Sequence, residues 1–174
     1  MKNTPFDLTG KVADITGSSR GIGRSSAELL AKLGAKVVIS SRKADACDEV
    51  AEGIRKAGGD AHVIPCNISR REEVEALVSG TTKHYGKVDI LVCNAAVNPY
   101  YGPLLDIKDE AFDKIMGSNG QSNIGLCAPA IPQLAERGMP LTFDVARFVK
   151  FILTEIFPGG RLPSVEKVEE HSSK

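Results

Sequence analysis

The sequence predicts an α/β fold with helices on both faces of a parallel sheet, and three observations carry that expectation. Four short apolar runs, Lys11–Thr16, Lys36–Ser41, Ala61–Cys66 and Val88–Cys93, alternate with helical patterns long enough to serve as crossovers. The second and fourth runs carry the cores Val37-Val38-Ile39 and Ile90-Leu91-Val92, as in strands buried on both faces. A glycine-rich turn, Asp14-Ile-Thr-Gly-Ser-Ser-Arg-Gly-Ile-Gly23, joins the first run to the first helix.

Taken in order, the first helix spans about Arg20–Leu33, turns Ile22, Ala27, Leu30 and Ala31 inward, and stops at Gly34. A second helix, Ala44–Lys56, sets Val50 and Ile54 at i, i+4 spacing and ends before Gly58-Gly59. Ser69 stands three residues before Glu72, a capping box that opens a helix to Tyr85. After Cys93 the regular period degrades. Asp109–Met116 starts a helix with Phe112 and Ile115 facing in. Gly117, Gly120, Gly125, Pro129 and Pro132 then crowd the stretch where it would continue, at a cost of about 1 kcal/mol per interior Gly and about 3 per interior Pro. Asp144–Ile156 is amphipathic through Val145, Phe148, Val149 and Ile152, and Pro158–Lys174 reads as a fraying tail.

Composition narrows the function classes. The 174 residues suffice for one domain with a substantial core. Lys plus Arg equals Asp plus Glu at 22 each, so no basic surplus points to nucleic acid or an anionic membrane. Cys47, Cys66, Cys93 and Cys127 contain no Cys-x-x-Cys pair and read as reduced thiols of a cytoplasmic protein. The N-terminus lacks a charged-then-apolar leader, and no run is long enough to span a bilayer. The final Ser-Ser-Lys lacks the Leu of a peroxisomal signal.

The glycine loop carries the first functional signal. Gly17, Gly21 and Gly23 permit a tight turn, a close backbone approach to a phosphate, and close packing of helix on sheet. The N–H groups opening the helix are unpaired at the positive end of its dipole, which suits a pyrophosphate.

Thr16-Gly17-x-x-x-Gly21-Ile22-Gly23, with Gly86-Lys87-Val88-Asp89-Ile90-Leu91-Val92 leading into Cys93-Asn94-Ala95-Ala96, resembles the short-chain dehydrogenase/reductase family over about residues 5 to 138. Its carbonyl-reductase-like members are the nearest. The resemblance implies a three-layer Rossmann-like fold, a parallel sheet in order 3-2-1-4, and a nicotinamide dinucleotide beyond the carboxyl ends of strands 1 and 4. It divides the chain into an NADP(H)-binding domain, 1–138, and a divergent C-terminal helix with a flexible tail, 139–174.

The end of the second strand speaks to the cofactor type. NAD is selected by an acid there, which accepts from the ribose hydroxyls and repels a 2′-phosphate. Here Ser40-Ser41-Arg42-Lys43 stands instead. Arg42 can clamp a phosphate in a planar fork, with Arg20 approaching from the loop, so NADP(H) is preferred over NAD(H). By resemblance, Asn67 and Ile68 flank the adenine, Asn67 offering an acceptor, and Asn94 steadies the central strand beside the cofactor. The expected cofactor contacts are Gly17, Ser19, Arg20, Gly21, Ile22, Gly23, Ser41, Arg42, Asn67, Ile68, Asn94, Ala95 and Ala96. Asn119 matches the asparagine that holds a proton-relay water in the family.

Catalysis is where the chain departs from the pattern. The family donates its proton from a Tyr four residues before a Lys, with a Ser about a dozen residues earlier. Tyr85, Tyr100 and Tyr101 are followed at that spacing by Asp89, Leu104 and Leu105, so no Tyr-x-x-x-Lys exists. The later strands and catalytic helix are missing, and the match breaks near Arg137-Gly138. Asp144-Val-Ala-Arg147 and Pro158-Gly159 are the places where it could resume. His62, His84 and His171 have no suitable partners in sequence for a metal or a substitute base. Asp14, mid-strand where Val, Ile or Leu belongs, reads as a destabilising substitution without a partner. The sequence therefore points to a dinucleotide binder that has lost catalysis. Its alternatives are a partner of homo-oligomers or of full-length relatives, joined through the Asp109–Leu134 helix or an open edge at strand four, and a reductase using Tyr100 or Tyr101.

Overall fold

The computed structural model describes residues 6–136. The proposed Asp144–Ile156 helix, the tail and the two places where the family pattern could resume lie outside them. β1 (Val12–Thr16) occupies the centre of a parallel sheet, flanked by β2 (Lys36–Ser40) and β4 (Ile90–Val92), with β3 (Asp60–Val63) outside β2. The order is 3-2-1-4, as expected. β3 and β4 are shorter than their apolar runs.

Alternation along the strands sorts the core into two layers. Ala13, Ile15, Val37, Ile39 and Ala61 pack against α1 (Gly21–Lys32) and α2 (Ala44–Lys56). On the other face, Val38 and Val88 pack with α3 (Arg71–Tyr85) and α5 (Ser122–Glu136), through Val74, Leu77, Val78, Leu126, Ala130 and Leu134. Ile22 does not join the first layer; it is 80% exposed at the mouth of the cleft described below. Phe112 is likewise exposed on α4 (Asp109–Met116), whereas Ile115 is buried.

The helix expected to stop at Met116 continues. A π turn, Gly117–Gln121, leads into α5, which contains Pro129 and Pro132. The widened turn frees carbonyls that side chains satisfy: the Ser122 hydroxyl donates to Ser118 C=O, and Asn123 Nδ2 donates to Asn119 C=O at 2.8 Å. Burial of Leu126, Ala130 and Leu134 on α3 outweighs the propensity cost of the prolines. The capping box is also absent. The N-cap of α3 is Arg70 with no side-chain bond, while Glu73 accepts from Asn67 N–H at 2.7 Å and from Arg70 at 2.9 Å.

Two buried aspartates show how partners decide a charge. Asp89 accepts from Val12 N–H at 2.9 Å and pairs with Lys87 at 2.8 Å. Burial pushes its carboxyl upward, but these donors outweigh that and hold it below the usual range. Asp14 is fully buried on the α3 side of β1, and it does have a partner: its Oδ2 lies 3.0 Å from Thr81 Oγ1, while Oδ1 has none. Thr81 Oγ1 also stands 2.9 Å from Leu77 C=O. One hydroxyl proton cannot serve both acceptors. Protonated Asp14 resolves the conflict by donating to Thr81 while Thr81 donates to Leu77. Burial accordingly pushes the carboxyl from 3.8 to about 7, against the opposing hydrogen bond from Thr81.

The pH dependence follows in sign. Below about pH 4, Asp14 is neutral whether the chain is folded or not, and it imposes no charge penalty. Between 3.8 and about 7 the unfolded chain ionises first, so the native state loses stability as pH rises, and above that the penalty is complete. Three pKa units correspond to roughly 4 kcal/mol. Asp14→Asn, compared with the native chain by urea unfolding at several pH values, is expected to gain relative stability progressively from pH 4 to 7. A constant difference across that window would contradict the assignment.

Candidate functional site

The loop after β1 is stitched to both neighbouring strands. Ser18 Oγ donates to Ile15 C=O at 2.7 Å and accepts from Ser40 N–H at 2.8 Å, tying the loop to β2. On the β4 side, Thr16 Oγ1 accepts from the backbone N–H groups of Asn94 and Ala95, both at 3.1 Å. Asn94 Nδ2 donates to Thr16 C=O at 2.9 Å and to Gly17 C=O at 3.3 Å. Glycine is required at two points. Gly17 has φ of +67°, and a Cβ there would meet Ala95 Cα at 2.9 Å. A Cβ on Gly23 would run into the Gly17 carbonyl and come within 2.5 Å of Asn94 Nδ2.

These contacts hold open a cleft of about 800 Å³ at the carboxyl end of the sheet. The structure brings together around it every residue expected to touch a cofactor: Gly17, Ser19, Arg20, Gly21, Ile22, Gly23, Ser41, Arg42, Asn67, Ile68, Asn94, Ala95 and Ala96. Lys43, Ala46, Cys66, Ser69 and Val97 line it as well. Lys43 and Val97 were legible as neighbours of Arg42 and Ala96, whereas Ala46, Cys66 and Ser69 carried no chemical signal.

The N-terminus of α1 faces this cleft without a side-chain cap, as an anion site requires. Arg20 and Arg42 are exposed at its rim and make no ion pair or side-chain hydrogen bond among the described residues. No carboxylate stands at the end of β2, where Ser40 is buried and Ser41 Oγ contacts Cys47 Sγ at 3.2 Å. Asn67 Oδ1, the acceptor expected for the adenine, already takes Ser69 N–H at 3.1 Å. That bond uses one of the two lone pairs of the oxygen, so Oδ1 can still accept, and Nδ2, which makes no bond among the described residues, adds a donor beside it.

Asn119 is buried and does not line the cleft. Its side chain is engaged at both ends by one residue, accepting from Val97 N–H at 2.8 Å and donating to Val97 C=O at 2.9 Å. It thus fixes the loop after β4 from outside. The tyrosines also lie apart from the cleft: Tyr85 donates to Asp60 Oδ1 at 2.7 Å, Tyr100 donates to Pro103 C=O at 2.9 Å, and Tyr101 is 78% exposed. His62 and His84, unpaired in sequence, stack on each other with ring centroids 3.8 Å apart. No helix among the described residues is long and apolar enough to cross a membrane.

Comparison with known proteins agrees with this geometry. A profile of the short chain dehydrogenase family matches residues 11–139. The chain is 41% identical over 142 residues to the short-chain dehydrogenase/reductase SDRA of Arabidopsis thaliana, covering 82% of this chain and 56% of that one. It is 39% identical over 131 residues to dehydrogenase/reductase SDR family member 4 of Bos taurus, covering 75% and 47%. Among solved structures, a hydroxysteroid dehydrogenase from Escherichia coli superposes with a TM-score of 0.71 at 35% identity, over 76% of this chain and 56% of that one. The chain spans about half the length of the curated relatives it matches.

Gly23→Ala is expected to destabilise the chain by about 1–3 kcal/mol, because backbone has to move to admit the methyl group. Gly53→Ala, at an open position inside α2, is expected to stabilise it by about 0.4–1 kcal/mol. Paired thermal or urea unfolding curves distinguish them, and equal effects would refute the close-packing argument.

Proposed function

The chain belongs to the short-chain dehydrogenase family, and from that premise we propose that it binds NADP(H) in preference to NAD(H) without itself reducing a carbonyl. The carrying observation is the pair of unpartnered guanidiniums, Arg20 and Arg42, on the rim of a cleft with no carboxylate at the end of β2. Arg42, Arg20 and Ser41 are placed to take a 2′-phosphate, the opening turn of α1 the pyrophosphate, and Ile68 with Asn67 the adenine. The glycine cradle fits such a group, since a Cβ at Gly17 would meet Ala95 and one at Gly23 the Gly17 carbonyl, prising apart the turn on which a phosphate would rest. Bound NADPH supplies a hydride; a carbonyl also needs a proton. With no Tyr-x-x-x-Lys in the sequence and Tyr85, Tyr100 and Tyr101 displaced, no tyrosine stands beside the cleft among the described residues to give that proton. Asn119, spent on Val97, acts as a loop clamp.

Calorimetric titration is expected to give tighter binding of NADPH than of NADH. Arg42→Ala is expected to weaken NADPH about 10-fold or more and to leave NADH nearly unchanged, the loss of one charge-assisted contact. NADH bound as tightly as NADPH would overturn the cofactor preference. NADPH oxidation with any member of a carbonyl panel would overturn the loss of catalysis.

A second reading, association in homo-oligomers or with full-length relatives, rests on a different surface. Phe112, Met116, Ile124 and Ile131 are exposed along α4 and α5, and β4 is paired only with β1 among the described strands. Co-expression with a full-length relative, followed by light scattering, is expected to give a mixed complex on this reading. Separate elution of the two chains would count against hetero-association, and a clean monomer of the chain alone against self-association.

A further inference from the structure

His62 and His84 are distant in sequence and neither lines the cleft, yet the fold sets their rings face to face, with centroids 3.8 Å apart and planes 6° from parallel. His62 lies on β3 in register with Val38, so its side chain enters the α3 layer from the sheet. His84 and Tyr85 close the last turn of α3, which Gly86 caps in the left-handed conformation by donating to Thr82 C=O. Tyr85 stands edge-on to both imidazoles, its centroid 6.3 Å from His62 and 4.4 Å from His84, and its hydroxyl donates to Asp60 Oδ1 at 2.7 Å. Together these contacts dock the end of α3 on the outer strand of the sheet.

Such a stack tolerates one charge but not two. Neutral or singly protonated rings attract one another, whereas two imidazoliums at this spacing repel. The charged groups around the pair come from three other elements. Arg55 of α2, whose Nε donates to Ala61 C=O at 3.0 Å, adds positive charge beside His62. Asp60 of β3 opposes it, but that carboxylate is already engaged by Tyr85 and by Lys36 of β2, whose Nζ lies 3.8 Å from Asp60 and 5.3 Å from the Tyr85 ring. Burial first, then His84 and Arg55, hold His62 below its ordinary 6.5 against the pull of Asp60. A histidine held low is neutral in the fold and takes up a proton more readily once released. Its contribution to stability is therefore complete above 6.5 and is lost as pH falls. Asp14, joined to α3 through Thr81, has the opposite sign, since acid relieves it. The parallel rings aim their lone pairs side by side and not at a common point, so the pair is arranged for protonation and not for chelation.

We propose that the His62–His84 stack is an acid-released latch on α3: with at most one ring charged it holds the last turn, Thr82–Tyr85, against β3, and protonation of both rings frees that turn while the centre of the sheet stays folded. The same turn is tied to α5, because Gln133 Nε2 donates to Thr82 Oγ1 at 3.1 Å. Release of the latch thus loosens the link between the two helices that cover this face of the sheet.

The test is hydrogen exchange read by mass spectrometry on the full chain at about pH 7.5 and about pH 5.5, corrected for the intrinsic pH dependence of exchange, with an NMR titration of the imidazole protons. Amides in the last turn of α3 are expected to exchange about 10-fold faster at the lower pH, the equivalent of one pKa unit of coupling, while those of β1 do not. His84→Phe keeps a ring stacked on His62 without the charge and should blunt the acid response. His84→Gln should raise the midpoint of His62 by removing its positive neighbour. A native chain without the acid response, an equal response in His84→Phe, loss of protection that extends to β1, or a His62 midpoint unmoved by His84→Gln would each overturn the proposal.

Discussion

The close approach of the β1 loop to the turn after β4 is the constraint from which the rest of the site follows. Gly17 and Gly23 lie against one another and against Asn94, with no room for a side chain at either glycine. That contact lets Asn94 hold the Thr16 and Gly17 carbonyls, brings Thr16 Oγ1 within reach of two N–H groups, and aims α1 at the cleft. Ser18 completes the arrangement from the β2 side. The backbone is thereby fixed before any ligand arrives, which lowers the ordering cost of binding an anion. Side chains at the rim, Arg20 and Arg42 above all, are free to choose among anions because the scaffold beneath them is already satisfied.

The same rigidity accounts for what the fold tolerates. Asp14 sits in the central strand, two residues before Thr16, and a charge there would be expected to disrupt the sheet. It persists because Thr81, one layer away on α3, offers an oxygen that a neutral carboxyl can use. α5 is tolerated on similar grounds. Its prolines remove backbone donors, but Leu126, Ala130 and Leu134 are buried against α3, and the Ser122 and Asn123 side chains satisfy carbonyls that the π turn frees.

Local chemistry made much of this legible in advance. Short apolar runs and helices of crossover length specify parallel strands, because both follow from backbone sterics and short-range periodicity, whereas the sheet order and the position of the cleft came from the family resemblance of the glycine loop and the Asn94 motif. The arginines at the rim were readable locally: what matters is the absence of a carboxylate at one position and the presence of a fork at the next. Asn119 was legible only by its match to the family's water-holding asparagine and not in its partner, since Val97 lies 22 residues away.

The sequence therefore carried the family pattern, the strand order that this resemblance implies, and most of the residues that meet at the cleft. Only the tertiary structure decided the fate of groups whose energy depends on a distant neighbour. Burial against α3 holds Asp14 toward its neutral form, Asn67 gives one lone pair of its oxygen to Ser69 N–H, Ile22 faces the cleft, and α5 outlasts its prolines. Propensity and spacing report the cost of each choice locally, whereas burial and hydrogen bonding across layers set whether that cost is offset.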